Sequence, residues 1–267
     1  MNKQIKSIIF DMDGVIWKDD TPMGNLENIF QILNSHNISY VFATNNSMKT
    51  PLSYQDKLSR FGVKISQDQI ITSGTTLANH MKQYYPDGGP VFILGDTGLI
   101  EPLNQNGFYH QEDNVIALAG GLDKTINYEK LSQATLNLSN ENVAFFFSNI
   151  DPTYPSPQGN IPGAGSILAM LETASGRKAT VTGKPEPFMF QQALNYLKTS
   201  SNETLVVGDR LTTDILGGIK ANCYTALLLS GVTNLTDLES SPIKPDIISR
   251  DINSFIEEMM KTTWTIN

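Results

Sequence analysis

With 267 residues, 40% hydrophobic and 17% charged, this chain can bury a substantial core, which excludes a disordered protein and suits one or two domains. Its formal net charge of −8, from 19 basic and 27 acidic residues, speaks against nucleic acid or an anionic membrane as main partner. The single cysteine, Cys223, excludes an intrachain disulfide and reads as a buried structural thiol.

The first apolar run, Ile5–Phe10, stops at Asp11-Met12-Asp13-Gly14. Side chains two apart on an extended chain share a side, so both carboxylates face one small volume. Their repulsion calls for a metal or a proton. By itself the segment is equally an Asx-type turn, because Asp and Gly are ordinary turn residues. These acids also break up any signal-peptide core at the start, and no apolar stretch reaches the roughly 18 residues of a membrane span. A cytoplasmic location is expected. Trp17 should pack just past this loop, and Leu26, Ile29, Phe30 and Leu33 recur at helical spacing.

The next run, Tyr40–Ala43, ends at Thr44-Asn45-Asn46-Ser47, with Pro51 and a helical pattern beyond. Hydroxyl, amide and N–H groups between a strand and a helix suit a phosphate, and they also cap helices for purely structural reasons. Strands are predicted again at Val91–Leu94, Val115–Ala119 and Val143–Phe147, with a helix through Leu131, Ala134, Thr135 and Leu138. Ser148–Gly165, which carries Pro152, Pro155, Pro157 and Pro162 among glycines, reads as a long ordered loop reaching toward a site. Ala179–Thr182 leads into Gly183-Lys184-Pro185 and a helix through Phe190, Ala193, Leu194 and Leu197. Leu205–Val207 ends on Gly208-Asp209-Arg210, Asp214 follows, and Thr225–Leu229 is the last strand. Singly, Lys184 reads as a surface lysine and Asp209 as a solvated turn. His36, His80 and His110 lack metal spacing, and Trp264 falls in an expected frayed end. The alternation of strand and helix predicts an α/β protein, a doubly wound parallel sheet with ligands at the strands' carboxyl ends.

Taken in chain order, Asp-x-Asp, Thr-Asn, Gly-Lys and Gly-Asp-x4-Asp resemble the four signature motifs of the haloacid dehalogenase superfamily. Thr44–Ser47, Gly176-Arg177-Lys178, Thr182–Pro187 and Gly208–Ile215 look like its NagD-type and p-nitrophenyl phosphatase subgroup. The resemblance implies a Rossmann-like core from residues 1–78 and 180–267, with an inserted α/β cap of the C2 type at 79–179. It implies that Asp11 is the nucleophile and Asp13 the general acid–base. Mg2+ would sit on Asp11, the main-chain carbonyl of Asp13 and Asp209. Asp214 would orient a metal water or Lys184, with direct ligation as the alternative. Thr44, Asn45, Asn46 and Lys184 would face the phosphate. Relatives specific for pyridoxal phosphate carry a histidine in Asp-Pro-x-His-Pro; here Asp151-Pro152-Thr153-Tyr154-Pro155 puts Tyr154 at that place, on the expected substrate side.

The implied activity is a Mg2+-dependent phosphomonoesterase for a small phosphorylated metabolite, with a homodimer left open. A phosphotransferase or mutase of the same superfamily is an alternative, which the cap position disfavours. A phosphate-binding receiver-like module is another, but such modules are about half this length.

Overall fold

The structure, a computed structural model, describes residues 3–156 and 158–266. Pro157, counted above in the expected loop, lies outside the described residues. The chain divides into two compact units. The first runs up to Thr44, takes in Leu52–Ile71 and resumes at Lys184; the second consists of Asn45–Pro51 and Thr72–Gly183. Among the described residues no helix is long and apolar enough to cross a membrane.

The first unit is built on a six-stranded sheet in the order Ile247–Ser249, Tyr224–Leu228, Thr204–Gly208, Ser7–Phe10, Ser39–Thr44, Ile70–Thr72. From Ser7–Phe10 the chain winds outward in one direction, and from Thr204–Gly208 in the other. The two central strands therefore flank the reversal, where α/β sheets open a crevice at their carboxyl ends. Period-two alternation sorts the side chains of Ser7–Phe10 to two faces. Ile8 and Phe10 pack with Leu26, Ile29, Phe30 and Leu33 of the helix Leu26–Ser35, and with Phe255 of the helix Ile252–Lys261. Ile9 turns the other way, with Val41 and Val206, onto Met189, Phe190 and Ala193 of the helix Phe188–Leu197. Each large apolar side chain so covered contributes roughly 1.5–3 kcal/mol.

Two strands of this sheet had no clear sequence signal: Ile70–Thr72 and Ile247–Ser249, each three residues at a sheet edge. The expectation of a frayed end at Trp264 is corrected. Trp264 is 2% exposed, its carbonyl accepts from Ile5 N–H at 2.8 Å, and Thr265–Ile266 pairs antiparallel with Lys3–Gln4.

The second unit holds a five-stranded sheet in the order Thr180–Val181, Ala144–Phe147, Ala117–Gly120, Gly89–Leu94, Phe108–His110, every neighbouring pair parallel. Its central strands are again buried on both faces. Phe92, Leu118, Phe145 and Phe147 meet the helices Tyr128–Leu138 and Ala164–Ser175, while Val91, Ala117, Ala119 and Phe146 meet Ser73–Tyr84 and Thr97–Gln105. The segment expected as a loop folds as a mostly exposed hairpin, Thr153–Ser156 against Gly159–Pro162, with Tyr154 opposite Ile161. Its prolines hid the alternation: they lack an N–H for the ladder and read as loop residues.

Candidate active site

Register brings the acids together. Phe10, the last residue of its strand, pairs with Val207 on one side and Phe42 on the other, and the neighbouring strands run one residue further to Gly208 and two further to Thr44. Asp11 still donates its N–H to Val207 O at 2.8 Å, and its side chain then clears the sheet edge. Asp209 follows Gly208 on the neighbouring strand and is 1% exposed. Met12 O accepts from Ile16 N–H at 2.8 Å and Trp17 N–H at 3.2 Å, which closes a tight turn after the first strand. Gly14 sits in that turn at φ +86°, left-handed backbone that favours glycine. A Cβ there would stand 2.8 Å from Asp209 Cγ, and one on Gly231 would stand 2.5 Å from the same atom. Two glycines thus let the backbone close around one buried carboxylate.

Lys184 is the positive centre. Its Nζ donates to Asp11 Oδ1 at 2.5 Å, Asp214 Oδ1 at 2.6 Å and Ala43 O at 3.1 Å, and its side chain is 3% exposed. It does not follow a strand of its own sheet, since Thr180–Val181 belongs to the five-stranded one. Asp214 is placed by a wide turn: Ile215 N–H donates to Arg210 O, five residues back, at 3.2 Å. Such single π-type turns recur at functional sites. The turn lets Asp214 Oδ2 accept from Arg210 N–H at 3.1 Å while Oδ1 takes Lys184. Both oxygens are thereby used.

Asp209 differs. Its Oδ2 accepts from Val232 N–H at 2.7 Å, but Oδ1 is buried and finds no hydrogen-bond partner among the described residues. Burial, then the charge of Asp214, pushes its carboxyl up to about 7 in the metal-free site, against the Val232 bond. Asp11 is raised well above the usual carboxylate range, first by burial and then by Asp214 and Asp209, with Lys184 opposing. Burial works against the Lys184 ammonium too, yet Asp11 and Asp214 outweigh it and hold it charged. One lysine among three carboxylates leaves the site short of positive charge. Asp11, Asp209 and Asp214 each offer an oxygen within 4.8 Å of the others, a donor set of hard oxygens that fits a divalent cation.

Asp13 is turned outward and exposed, and its Oδ1 accepts from Trp17 Nε1 at 2.8 Å. Thr44 ends its strand next to Ala43, 3% exposed. The remaining expected phosphate and substrate residues lie in the second unit. Asn45 Nδ2 donates to Asp151 Oδ1 at 3.1 Å, and Asn45 O accepts from Asn149 Nδ2 at 2.8 Å. Asn46 Oδ1 accepts from Met48 N–H at 2.8 Å. Tyr154 carries the Lys124 ammonium 4.5 Å above its ring centroid. Of the histidines without metal spacing, His110 uses its Nδ1 on Ile93 N–H at 3.1 Å. Sequence reasoning passed over Gly231, Val232 and the Trp17 indole. Only the Ser230-Gly231 turn after a strand could have flagged the first two.

Residues 8–109 match the Haloacid dehalogenase-like hydrolase family, and residues 181–255 match the HAD-hydrolase-like family. An acid sugar phosphatase of Staphylococcus saprophyticus is 32% identical over 260 residues, spanning 97% of this chain and 100% of that protein. The crystal structure of a 4-nitrophenylphosphatase from Thermotoga maritima superposes with a TM-score of 0.90 at 32% identity, covering 95% of this chain and 97% of the other. That of a glycerol phosphate phosphatase from Mycobacterium tuberculosis, in complex with magnesium, does so with a TM-score of 0.86 at 27% identity, covering 94% and 76%.

Proposed function

Since the chain belongs to the haloacid dehalogenase superfamily as a NagD-like phosphatase, we propose that it hydrolyses a small phosphomonoester through an aspartyl-phosphate on Asp11, with Mg2+ as cofactor. The observation that carries the reading is the Asp11–Lys184–Asp214 chain of ion pairs beside the under-partnered Asp209.

Asp11 attacks phosphorus, the bond from phosphorus to the leaving oxygen breaks, and Asp13 gives that oxygen a proton. A water then attacks the aspartyl-phosphate, Asp13 takes its proton, and the bond from Asp11 to phosphorus breaks to release inorganic phosphate. Attack needs Asp11 ionised, and its neighbours Asp209 and Asp214 oppose that. Lys184 offsets them, points the carboxylate through its 2.5 Å bond, and neutralises phosphoryl oxygens alongside Thr44. Asp11 and Asp209, with the carbonyl of Asp13, would hold Mg2+; when bound it neutralises the carboxylates and draws charge from the phosphoryl group. Asp214 serves Lys184, because Lys184 and Arg210 N–H already occupy its two oxygens.

The core, residues 1–78 and 180–267, performs this chemistry. The inserted domain, 79–179, selects the substrate, with Tyr154 on the selecting hairpin and Asn45 and Asn46 assisting phosphate binding. A cytoplasmic, phosphorylated metabolite is the proposed class.

The test is phosphate release from sugar phosphates, glycerol phosphate, nucleotides and 4-nitrophenyl phosphate, with and without Mg2+. Wild type should turn over at least one of them only with the metal, and Asp11→Asn should lose at least a thousandfold in kcat. Turnover by Asp11→Asn at the wild-type rate would sink the covalent route.

A further inference from the structure

We propose that Trp17 is a positioning residue for Asp13, its indole N–H holding the carboxylate in line with the leaving oxygen. This deepens the assignment of Asp13 as acid–base and rests on it. Asp13 is exposed, and a free aspartate on a turn samples several rotamers. Here Trp17 Nε1 donates to Asp13 Oδ1 at 2.8 Å. The donor itself is locked. Trp17 is 1% exposed, and Gly14 N–H donates to its carbonyl at 2.7 Å, so main chain and side chain both tie it to the turn that carries Asp13.

The helix Pro51–Arg60 holds the ring from outside. Tyr54 lies parallel to it, with centroids 6.2 Å apart and planes 7° apart. Lys57, 7% exposed, sets its ammonium 4.3 Å from the ring centroid. The same ammonium donates to Asp19 O and pairs with Asp20 at 3.3 Å, which fastens the turn following Trp17. A cation over an indole face also polarises the ring and strengthens its N–H as a donor. A buried indole commonly finds an acceptor for structural reasons alone. The acceptor used here, however, is the one side chain that must shuttle a proton.

The experiment separates positioning from packing by leaving group. An alkyl phosphate needs its leaving oxygen protonated, whereas 4-nitrophenyl phosphate does not. The kcat/KM value reports only steps through aspartyl-phosphate formation, which removes the later water step from the comparison. Trp17→Phe should lower kcat/KM for glycerol phosphate roughly tenfold more than for 4-nitrophenyl phosphate. Replacing Trp17 by β-(3-benzothienyl)alanine keeps the ring shape, removes only the N–H, and should reproduce that ratio if Trp17→Phe folds poorly. Equal losses on both substrates, or none on either, overturn the proposal. Asp13→Asn assayed on the same pair tells the two failures apart. If it shows the leaving-group bias and the Trp17 replacements do not, Trp17 fails alone; if it shows none, the acid–base assignment falls and takes this inference with it.

Discussion

Each of the two parallel sheets has a buried aspartate just beyond a strand end, and the two acids are treated in opposite ways. Asp123, three residues past Ala117–Gly120, accepts from Thr125 N–H and Thr125 Oγ1, both at 2.7 Å, and from Lys130 Nζ at 2.9 Å. Burial disfavours its charge, but these partners more than compensate and hold its carboxyl below the usual range. Asp209 is at least as buried, has one main-chain donor, faces Asp214, and is pushed up to about 7. A fully partnered buried acid is finished as structure, because nothing further is gained by adding a ligand. An acid left with a bare buried oxygen is stabilised by whatever brings positive charge.

The most severe way to break that contrast is to remove the buried lysine at the centre of the first site. Lys184→Met should cut kcat by about 10²–10³-fold or more while circular dichroism shows a retained fold. A variant with wild-type kcat would mean the ion pairs are structural. Next in size is the coupling of metal and pH to stability. The folded pKa of Asp209 is raised, so its contribution is complete below its unfolded value of about 4 and lost as pH rises through about 7. The melting temperature of metal-free protein should therefore fall between pH 5 and 8, and saturating Mg2+ should remove most of the fall. Asp209→Asn should remove the Mg2+ response and reduce the fall to the part that the raised Asp11 carboxyl contributes. If wild type melts at the same temperature with and without Mg2+ at pH 8, Asp209 is not the metal's acid.

The matching change in the other sheet should act on stability alone. Asp123→Ala removes the Lys130 ion pair and both Thr125 hydrogen bonds and frees the turn before the helix Tyr128–Leu138, at a cost of about 2 kcal/mol. That lowers the melting temperature by roughly 5 °C. Turnover by the folded fraction should stay within about threefold, and a larger kinetic loss would erase the distinction between the two acids. The smallest effect concerns Cys223, whose thiol burial pushes up to about 12. A chromogenic disulfide reagent at pH 8 should leave it unmodified in folded protein and label it only after unfolding, with activity unchanged throughout the native incubation.

Much of the first unit was legible because its information is local. Apolar β-branched runs mark strands buried on both faces, and a run that stops on Asp11 or Asp209 announces chemistry at the carboxyl end. Ile70–Thr72 escaped notice because three residues carry no measurable period, and the hairpin carrying Tyr154 because proline reads as loop. Asp123 and Asp209 each follow a short strand, and along the chain only the Gly-Asp-x4-Asp phrase marks Asp209. How many donors the fold brings within reach of each acid is a count that no window of sequence contains.

By itself, the sequence determined the order of strands and helices and the residue types at their ends, since periodicity and turn chemistry act over a few residues. Tertiary structure decided which of those residues meet. Sheet register sets Asp11 beside Asp209, a five-residue turn swings Asp214 back to Lys184, and two glycines close around a carboxylate that keeps one oxygen bare. These are pairings across up to two hundred residues of chain, and they exist only once the apolar faces have packed and fixed the geometry.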